Sequence, residues 1–343
     1  MDIKSIVMRI FSVAPKNWEN AARARYRGLR DRLGLWRAGW RDIGWYARQS
    51  GVFDTKRKGV LQARIIKTYH ALEKGLALPA PRPGFGQVAA AQLLDAAQTY
   101  LDRFGPDRTL LAASATLDEY LHFNAGIGVA LPEIERGASR LREALPSAGT
   151  SCLGGTLELT REAIHGAGKL DLRNFFQSRY SIRQFSTEPV ATALIEQAVR
   201  MAQKAPSVCN RESGRVYVVG DREKARALLR YQNGNRGFGD QANKLLVITA
   251  RLDCFLTIDE RYQHWIDGGL FAMSVIYALH SLGLGSCCLN WSVDPAIDRA
   301  FKEAAGIADD QSIIMLLAVG HLPARLRVAR SERRPLDDVL IHI

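Results

Sequence analysis

Apolar side chains recur at spacings of three and four residues in two neighbouring segments, Gln87–Phe104 and residues 108–123. This period predicts two amphipathic helices. Gly105, Pro106 and Asp107 stand between them, and Asp107 is placed to cap the second helix. The two segments are predicted to form an antiparallel helical hairpin, within a first part of the chain that is mainly helical.

The pattern changes after Leu172 to an alternation of helical segments and short apolar strands, which is typical of a layered α/β or α+β fold. Asp221 is the predicted cap of the second helix in this part. Helices are predicted at residues 190–203, 221–229, 259–282 and 294–305. Strands are predicted at residues 215–219, 245–250 and 313–319 and near Cys287. We place a boundary near residue 170, which divides the chain into a helical region, 1–170, and a second domain, 171–343.

Basic character is concentrated in the first 70 residues, which hold sixteen Lys and Arg against five Asp and Glu, whereas the remainder holds 31 against 30. The formal net charge of +12 therefore belongs to one segment. The chain as a whole is 47% apolar and 24% charged, a balance typical of soluble globular proteins. No apolar run approaches the roughly 18 residues that a transmembrane helix requires.

The five cysteines are odd in number and show no metal-ligand spacing, which favours a reducing compartment and predicts a cytoplasmic protein. The first residues resemble a signal peptide only faintly, because Arg9 divides the apolar stretch and no convincing cleavage site follows. The adjacent Cys287 and Cys288 are interpreted as small apolar fillers of a buried strand, in preference to a vicinal disulfide or a redox relay. The histidines show no metal spacing either, and His280 is interpreted as a core or interface residue.

The candidate chemistry begins in the run SRYSIRQF. In an extended conformation Arg179, Ser181 and Arg183 project to one side, and Tyr180 and Ile182 alternate with them. Two guanidinium groups and a hydroxyl on one face form a suitable anion site, because Arg offers forked donors to phosphate oxygens. Taken alone, the alternation favours a solvated strand edge over an anion site.

This run resembles the opening motif of the nitroreductase family, Arg-x-Ser-x-Arg-x-Phe, which holds flavin mononucleotide (FMN). About 21 residues later, the run APSVCNR resembles the family's Pro-Ser-x-x-Asn loop, in which the Asn side chain meets the pyrimidine edge of the flavin. An amide suits that edge because it both donates and accepts hydrogen bonds. The resemblance implies flavin contacts from Arg179, Tyr180, Ser181, Arg183, Pro206, Ser207 and Asn210.

The segment IDGGLFAMSVIYALHSLGLGSCCLNW resembles the family's central helix and the glycine turn after it. In the family the helix lies in the dimer interface, and the segment after the turn passes the reactive N5 side of the flavin. The runs AVGHLPA and SERRPLDDVL resemble the family's closing strand and basic tail. The resemblance implies a turn at Gly283, Gly285 and Ser286, ring contacts from Leu289, Asn290 and Trp291, and phosphate contacts from Arg333 and Arg334.

These resemblances predict an α+β fold, a nitroreductase-like FMN-binding sheet flanked by helices and preceded by a mainly α-helical N-terminal region. They imply an FMN-dependent oxidoreductase in which NADH or NADPH passes a hydride to flavin N5 and leaves before a small-molecule acceptor takes its place. They also imply a homodimer, because relatives build the flavin pocket from both subunits. FMN brings the redox chemistry, so we name no catalytic acid or base and no metal ligand. Arg183 is the candidate cation for stabilising negative charge near N1 and O2 of the reduced ring.

The sequence also departs from the family pattern. Glu212, Ser213 and Gly214 stand where many relatives have Gln-Pro-Trp, and Asn290 and Trp291 stand where relatives often have Gly-Gly or Glu-Gly. Flavin binding is therefore better supported than nitroarene reduction. The departures motivate an alternative function, a flavin-binding or flavin-free accessory protein of cell-envelope polysaccharide assembly. The run GNRGFG has glycines at a spacing unsuited to a dinucleotide fingerprint and is interpreted as a loop.

The runs HALEKGL and RPGFG resemble a block found ahead of nitroreductase modules in a bacterial subfamily often associated with polysaccharide gene clusters. In the first run, His70, Glu73 and Lys74 lie at helical spacing. We interpret them as an ion pair near a helix end, with Gly75 as the terminator, and a catalytic cluster is the alternative.

Residues 21–48 combine eight arginines with Trp36, Trp40 and Trp45. A helix of this composition suits the surface of an anionic membrane, which would make the protein membrane-peripheral. Contact with nucleic-acid phosphates is a weaker alternative. The interpretation favoured over both is a solvated basic helix whose tryptophans pack on the flavin domain.

Overall fold

The computed structural model describes residues 16–146, 154–168, 170–329, 331 and 333–343. The signal-like segment at the N-terminus and Cys152 lie outside the described residues. The chain divides into two compact units, Met1–Gln49 and Ser50–Ile343. The boundary predicted near residue 170 falls within the second unit.

The described part of the first unit is a single long helix, α1 (Lys16–Gln49). Its sequence is rich in Arg and Ala, which are strong helix formers. No helix in the described ranges is long and apolar enough to cross a membrane.

The second unit is an α+β structure, as the sequence predicts. Its helices are α2 (Lys58–Leu76), α3 (Gln87–Phe104), α4 (Arg108–Gly126), α5 (Pro132–Glu143), α6 (Arg161–Ala167), α7 (Leu172–Ser178), α8 (Thr192–Ala202), α9 (Arg222–Leu229), α10 (Gln263–Ser281) and α11 (Pro295–Ala305). Its strands are β1 (Gly214–Val219), β2 (Lys244–Arg251), β3 (Leu284–Asn290) and β4 (Gln311–His321). Short 3₁₀ turns lie at Val208–Asn210, Gly239–Gln241, Leu252–Cys254, Ile258–Glu260 and Leu336–Asp338.

Helices α2 to α5 pack together around one apolar core, which includes Leu93, Tyr100, Leu117 and Tyr120. The predicted hairpin is present as α3 and α4. Asp107 caps α4 as expected, because its Oδ1 accepts hydrogen bonds from the N–H groups of Thr109 and Leu110 at 2.9 and 3.3 Å. These four helices precede the strands of the sheet in the sequence.

The four strands form one antiparallel sheet in the order β1-β2-β4-β3. Strands β2 and β4 are central and almost completely buried, which explains their continuous apolar sequences. Strands β1 and β3 are the two edges of the sheet as described. Successive side chains of β4 lie on opposite faces of the sheet, so Leu316 lies in the apolar core on one face and Leu317 in the core on the other.

The sheet is therefore sandwiched between two helical layers. Helices α8 and α10 cover one face, together with Ile248, Leu317 and Val319 of the sheet. Helices α9 and α11 cover the other face, where Phe301 is fully buried beside Leu316. The helices on the two faces therefore fix the positions of edge strands β1 and β3 and of the segments next to them.

Two local expectations need correction. Helix α10 begins at Gln263, later than predicted, because the Glu260 carboxylate accepts the Leu256 N–H at 2.7 Å and holds Ile258–Glu260 as a separate turn. Helix α2 continues past Gly75 to Leu76, so that glycine is not a terminator. A Cβ at Gly75 would collide with the Phe85 ring, and close packing explains this glycine. The predicted contact between His70 and Glu73 is present, with Nδ1 of the histidine 3.1 Å from Oε2 of the glutamate.

Candidate functional site

The predicted Asn loop lies between α8 and β1, and we call residues 205–212 the Asn210 loop. Cys209, Asn210 and Glu212 all have positive φ, at 49°, 53° and 46°. Non-glycine residues adopt this region rarely and at a cost in conformational energy, which the surrounding structure must offset. Three such residues in one short loop indicate that contacts with the surrounding structure impose the backbone conformation of this loop.

Arg211 is the main support of the Asn210 loop. It is 3% exposed, its Nε donates to the Val208 carbonyl at 3.1 Å, and its Nη1 donates to the Cys254 carbonyl at 2.7 Å. From the other side, the Val208 N–H donates to the carboxylate of the buried Asp267 at 3.1 Å. The loop is thus tied to a 3₁₀ turn and to α10 while Asn210 itself stays exposed. The sequence analysis did not find Arg211 or Asp267.

The segment of residues 179–183 lies along the outer edge of β3. Ser181 forms a parallel bridge with Ser286, and the Ile182 N–H donates to the Ser286 carbonyl at 2.9 Å. Ile182 is 7% exposed and anchors the segment in the core. The extended conformation expected for this run is therefore present at Ser181.

Two cations flank β3. Burial raises the pKa of Cys287, and desolvation by neighbouring groups raises that of Cys288 although its side chain is partly exposed. The charge of Arg183 opposes the shift at Cys287, and that of Arg179 opposes it at Cys288. Within the described ranges neither arginine has a carboxylate partner, and Arg183 lies over the Phe238 ring at 5.8 Å. Two unpaired guanidinium groups beside one strand are a suitable site for a phosphate.

The two cysteines of β3 differ from each other. Cys287 is a buried thiol in the core, as expected for an apolar filler, whereas Cys288 points outward and is exposed. The filler interpretation is therefore wrong for Cys288, because consecutive residues of a strand face opposite sides. His280 is half-buried, as a core or interface residue would be, and its Nε2 lies 3.0 Å from the Ser178 hydroxyl.

The end of β3 carries Asn290 and Trp291, which have structural partners. The Nε2 of Gln232 donates to the Asn290 carbonyl at 3.2 Å. The Trp291 indole donates to Asp298 at 2.8 Å and packs on the Phe301 ring, with centroids 4.4 Å apart. The indole is therefore held against α11. Leu289, the neighbour of Asn290, is buried in the core beneath β3.

The predicted glycine turn is shorter than expected. Gly283 adopts a φ of 74° and makes the turn, whereas Gly285 and Ser286 already belong to β3. A Cβ at Gly285 would lie 2.8 Å from Leu322 and 3.0 Å from Ile182. Gly285 is explained by this close packing.

The tail after β4 is joined to the chain just after the 179–183 segment. The Arg327 N–H donates to the Gln184 side chain at 2.9 Å. Arg333 donates to the Ser331 carbonyl, and no interaction joins Arg333 or Arg334 to Arg179 or to the Asn210 loop in the residues that are described. The phosphate contact of Arg333 and Arg334 stays a prediction.

The predicted site residues thus fall into two groups. The first group lies at or near β3 and contains Arg179, Tyr180, Ser181, Arg183, Gly285, Leu289, Asn290 and Trp291. The second group precedes β1 and contains Pro206, Ser207 and Asn210. Strands β2 and β4 separate the two edges, so three strand spacings, roughly 14 Å, lie between the groups.

A cleft of about 1350 Å³ opens beside the Asn210 loop, between the group of helices α2 to α5 and the sheet. Tyr69 of α2 lines it together with Ser207, Asn210 and Glu212. Burial, with the nearby carboxylates of Glu73 and Glu212, raises the pKa of Tyr69 to about 12, so its hydroxyl is a hydrogen-bond donor at neutral pH. The sequence analysis did not expect helices α2 to α5 to reach this loop.

A metal centre is not indicated. Among the side chains that the structure describes, no cluster of three or more His, Cys, Asp or Glu residues could hold a metal ion. The GNRGFG run forms a loop, as predicted, and it buries Phe238 in the core next to the sheet.

Among the described residues, two guanidinium groups without a carboxylate partner lie beside edge strand β3, and a loop that exposes the Asn210 amide precedes edge strand β1. Residues 176–321 match the model of the nitroreductase family. The match covers less than half of the chain, and α1 to α6 lie ahead of it. No curated protein matches the chain.

Several solved structures resemble the chain over half its length. A nitroreductase family protein from Streptococcus pneumoniae is 20% identical, with a TM-score of 0.44, over 50% of this chain and 100% of that one. An FMN-dependent nitroreductase from Clostridium difficile is 22% identical, with a TM-score of 0.41, over 50% and 98%. A structure from Desulfovibrio desulfuricans, described as a nitroreductase in complex with FMN, is 20% identical, with a TM-score of 0.44, over 51% and 98%.

Proposed function

We propose that this protein is an FMN-dependent oxidoreductase that transfers reducing equivalents from NADH or NADPH to a small-molecule acceptor. The observation that carries the proposal is the pair of guanidinium groups of Arg179 and Arg183 beside edge strand β3, which have no carboxylate partner among the described residues, in the part of the chain that matches the nitroreductase family. FMN, when bound, supplies hydride transfer, and the chain's own residues bind and orient it.

The residues at β3 fit the cofactor. A phosphate carrying nearly two negative charges requires cations, and Arg179 and Arg183 stand without carboxylate partners among the described residues. The Ser181 side chain lies between them on a segment that Ile182 anchors. Arg183 also suits the stabilisation of negative charge that forms on the ring upon reduction, because a fixed cation there favours the reduced form.

Asn210 fits the same cofactor from a different position. Its amide is exposed on a loop whose backbone is held by Arg211, so it is presented in one orientation. Three strand spacings separate it from the β3 group, so the two groups lie at opposite edges of the sheet of one subunit. We infer a homodimer in which Asn210 of one subunit and Arg183 of the other bind the same flavin.

Acid–base catalysis by a side chain is not part of the proposal. The chain's tasks are to hold the phosphate, to favour the reduced ring and to leave space for the donor and acceptor in turn. Protons come from solvent in an open site. The identity of the acceptor and the preference between NADH and NADPH are questions for a substrate screen.

The first test is an absorbance spectrum of the purified protein after incubation with FMN and desalting, followed by anaerobic addition of NADH or NADPH. Retained flavin that bleaches supports the proposal. Protein that retains no FMN contradicts it.

A second test addresses the shared site. Arg183→Gln and Asn210→Ala should each abolish turnover, and Arg299→Gln, an exposed arginine on α11, should not. Co-expression of the two inactive variants should restore about a quarter of wild-type turnover, because half of the dimers are hybrids and each hybrid has one intact site. Absence of recovery, with hybrids shown to form, would contradict the two-subunit site.

The accessory role in polysaccharide assembly remains the second candidate. Glu212 is exposed in the cleft beside the Asn210 loop, where it places a negative charge next to the proposed flavin. Trp291, the other residue that motivated this alternative, is held against α11. Protein that keeps FMN but leaves it oxidised in the presence of both nicotinamides would favour the accessory role.

A further inference from the structure

Helix α1 carries a continuous apolar stripe that is open to solvent. From Arg23 onward, apolar side chains recur at alternating spacings of three and four residues, and each is at least 56% exposed. We call these residues the α1 stripe: Tyr26, Leu29, Leu33, Trp36, Trp40 and Ile43. Single apolar residues are common on protein surfaces, but six large ones on one face of a helix form a continuous apolar patch. Such a patch indicates a binding surface.

Positive charge borders the α1 stripe. At 100° per residue, Arg25 and Arg32 lie along one border of the stripe, and Arg30 and Arg37 lie along the other. The two acidic residues of this part of the helix, Asp31 and Asp42, lie on the opposite face. Residues 23–48 contain eight arginines against these two aspartates.

This arrangement disfavours a second copy of α1 as the partner. The stripe has the spacing of a coiled-coil seam, and in a two-stranded coil the positions bordering the seam face their counterparts across the interface. Those positions hold arginines on both borders, so a homodimeric coil would place Arg against Arg. Like charges at these positions oppose pairing.

The same arrangement fits an anionic lipid surface. Trp and Leu side chains at the centre of the stripe suit the boundary between headgroups and acyl chains, and the bordering arginines extend to the headgroups. An anionic leaflet attracts each such cation by about 1 kcal/mol, which is roughly fivefold in affinity. Nucleic acid has no corresponding use for a stripe of six apolar side chains.

We propose that α1 lies along the surface of an anionic membrane with the α1 stripe inserted and holds the oxidoreductase there as a peripheral protein. This proposal does not depend on flavin binding. The consequence for the reaction rests on the proposed function: the acceptor is then met at or near the lipid surface.

The test is flotation of the full chain with vesicles of phosphatidylglycerol mixed with phosphatidylcholine, compared with phosphatidylcholine alone. We expect binding to the anionic vesicles only, weakened by salt. Trp36→Glu should reduce binding at least tenfold, because it places a carboxylate in the inserted stripe. Leu35→Glu is the matched control, since Leu35 is 75% exposed on the opposite face of the same helix, and it should reduce binding roughly fivefold or less.

Four results would overturn the proposal. The first is no binding to anionic vesicles, and the second is equal loss in both Glu variants. The third is a change in oligomeric state caused by Trp36→Glu in the absence of lipid, which would identify a second copy as the partner. The fourth is a fall in the melting temperature caused by that variant without lipid, which would mean that the stripe packs within the protein.

Discussion

Arg211 and Glu260 form an ion pair beneath the Asn210 loop, with Nη1 of the arginine 3.1 Å from Oε2 and Nη2 2.5 Å from Oε1 of the glutamate. The arginine side chain is 1% exposed and the glutamate side chain 16%. Burial acts to raise the pKa of Glu260, but hydrogen bonds from Arg211 and the Leu256 N–H outweigh it and lower the pKa. The pair connects the loop that carries Asn210 to the turn that precedes α10.

We predict that Arg211→Met destabilises the protein by about 3 kcal/mol, because it leaves the Glu260 carboxylate without its partner in a largely buried position. Urea denaturation of the two proteins measures this difference. The variant should also bind FMN more weakly at temperatures where it remains folded, since the three positive-φ residues lose their main support. A flavin titration followed by absorbance gives the second value.

The double variant Arg211→Met with Glu260→Met is the control for this prediction. It removes both charges, so it should recover part of the lost stability while FMN binding stays weak. If the double variant restores FMN affinity as well, the pair is only a structural element. In that case Arg211 does not position the loop.

A second prediction concerns Asp107, which caps α4 and also accepts hydrogen bonds from the Tyr100 hydroxyl at 2.6 Å and from the Gln62 side chain at 2.8 Å. Asp107→Ala should cost about 2 kcal/mol, from the lost cap and the buried donor left unpaired. Asp107→Asn keeps one acceptor oxygen and should cost less. Thermal unfolding at neutral pH measures both.

The pH dependence of this cap has a defined sign. Burial acts to raise the pKa of Asp107, but hydrogen bonds from Tyr100, Gln62 and the helix N–H groups outweigh it and lower the pKa. A carboxyl group whose pKa is lowered by folding stabilises the protein above its unfolded pKa and loses that effect as the pH falls. The difference between wild type and Asp107→Ala should therefore shrink below about pH 4. A constant difference down to pH 3 would contradict the proposed ionised cap.

Local signals predicted the elements of this fold well. The spacing of apolar residues gave α3 its observed bounds, and the Asp residues at 107, 221 and 294 cap the helices that follow them. Each of these signals acts within a few residues. Helices can therefore be predicted from periodicity and capping residues without knowledge of their tertiary contacts.

The arrangement of the candidate site depends on contacts that are distant in sequence. The strand order places the segment before β1 and the segment beside β3 at opposite edges, although the motifs are neighbours in the chain. Arg211 stands next to Asn210, and arginines in loops are normally exposed. Only the partners from Cys254 and Glu260, more than forty residues away, make it a buried support.

A third prediction concerns His264, which is 4% exposed near the start of α10. Burial lowers its pKa from 6.5 to about 4, against a smaller opposing effect of the Arg261 backbone. The folded state therefore favours the neutral ring. Stability from this residue is complete above the unfolded pKa and is lost as the pH falls from about 6.5 to about 4, by up to roughly 3 kcal/mol.

The measurement is the free energy of unfolding at pH 7.5 and pH 5 for wild type and His264→Phe. The variant keeps an aromatic ring near Phe255 and Trp265 and has no proton to gain. Its stability should fall less between the two pH values than that of wild type. Equal losses in the two proteins would show that His264 does not contribute to acid sensitivity.

The last prediction compares two adjacent glycines of α10. A Cβ at Gly268 would lie 2.5 Å from both Cγ1 and Cδ1 of Ile314 and 3.4 Å from Ala250, whereas a Cβ at Gly269 would meet nothing within 4 Å. Both substitutions to alanine gain about 1 kcal/mol of helix propensity. Only Gly268→Ala forces side chains apart in a packed core, at a cost of about 1 to 3 kcal/mol.

Gly269→Ala should therefore raise the melting temperature, and Gly268→Ala should leave it unchanged or lower it. The two variants carry the same substitution in the same helix. The difference between their melting temperatures therefore measures the effect of the contact with β4. That contact holds α10 against the sheet, and α10 in turn carries Asp267, which binds the Asn210 loop. Gly268→Ala should consequently weaken FMN binding, and a variant with lowered stability but unchanged FMN affinity would show that α10 and the loop are independent.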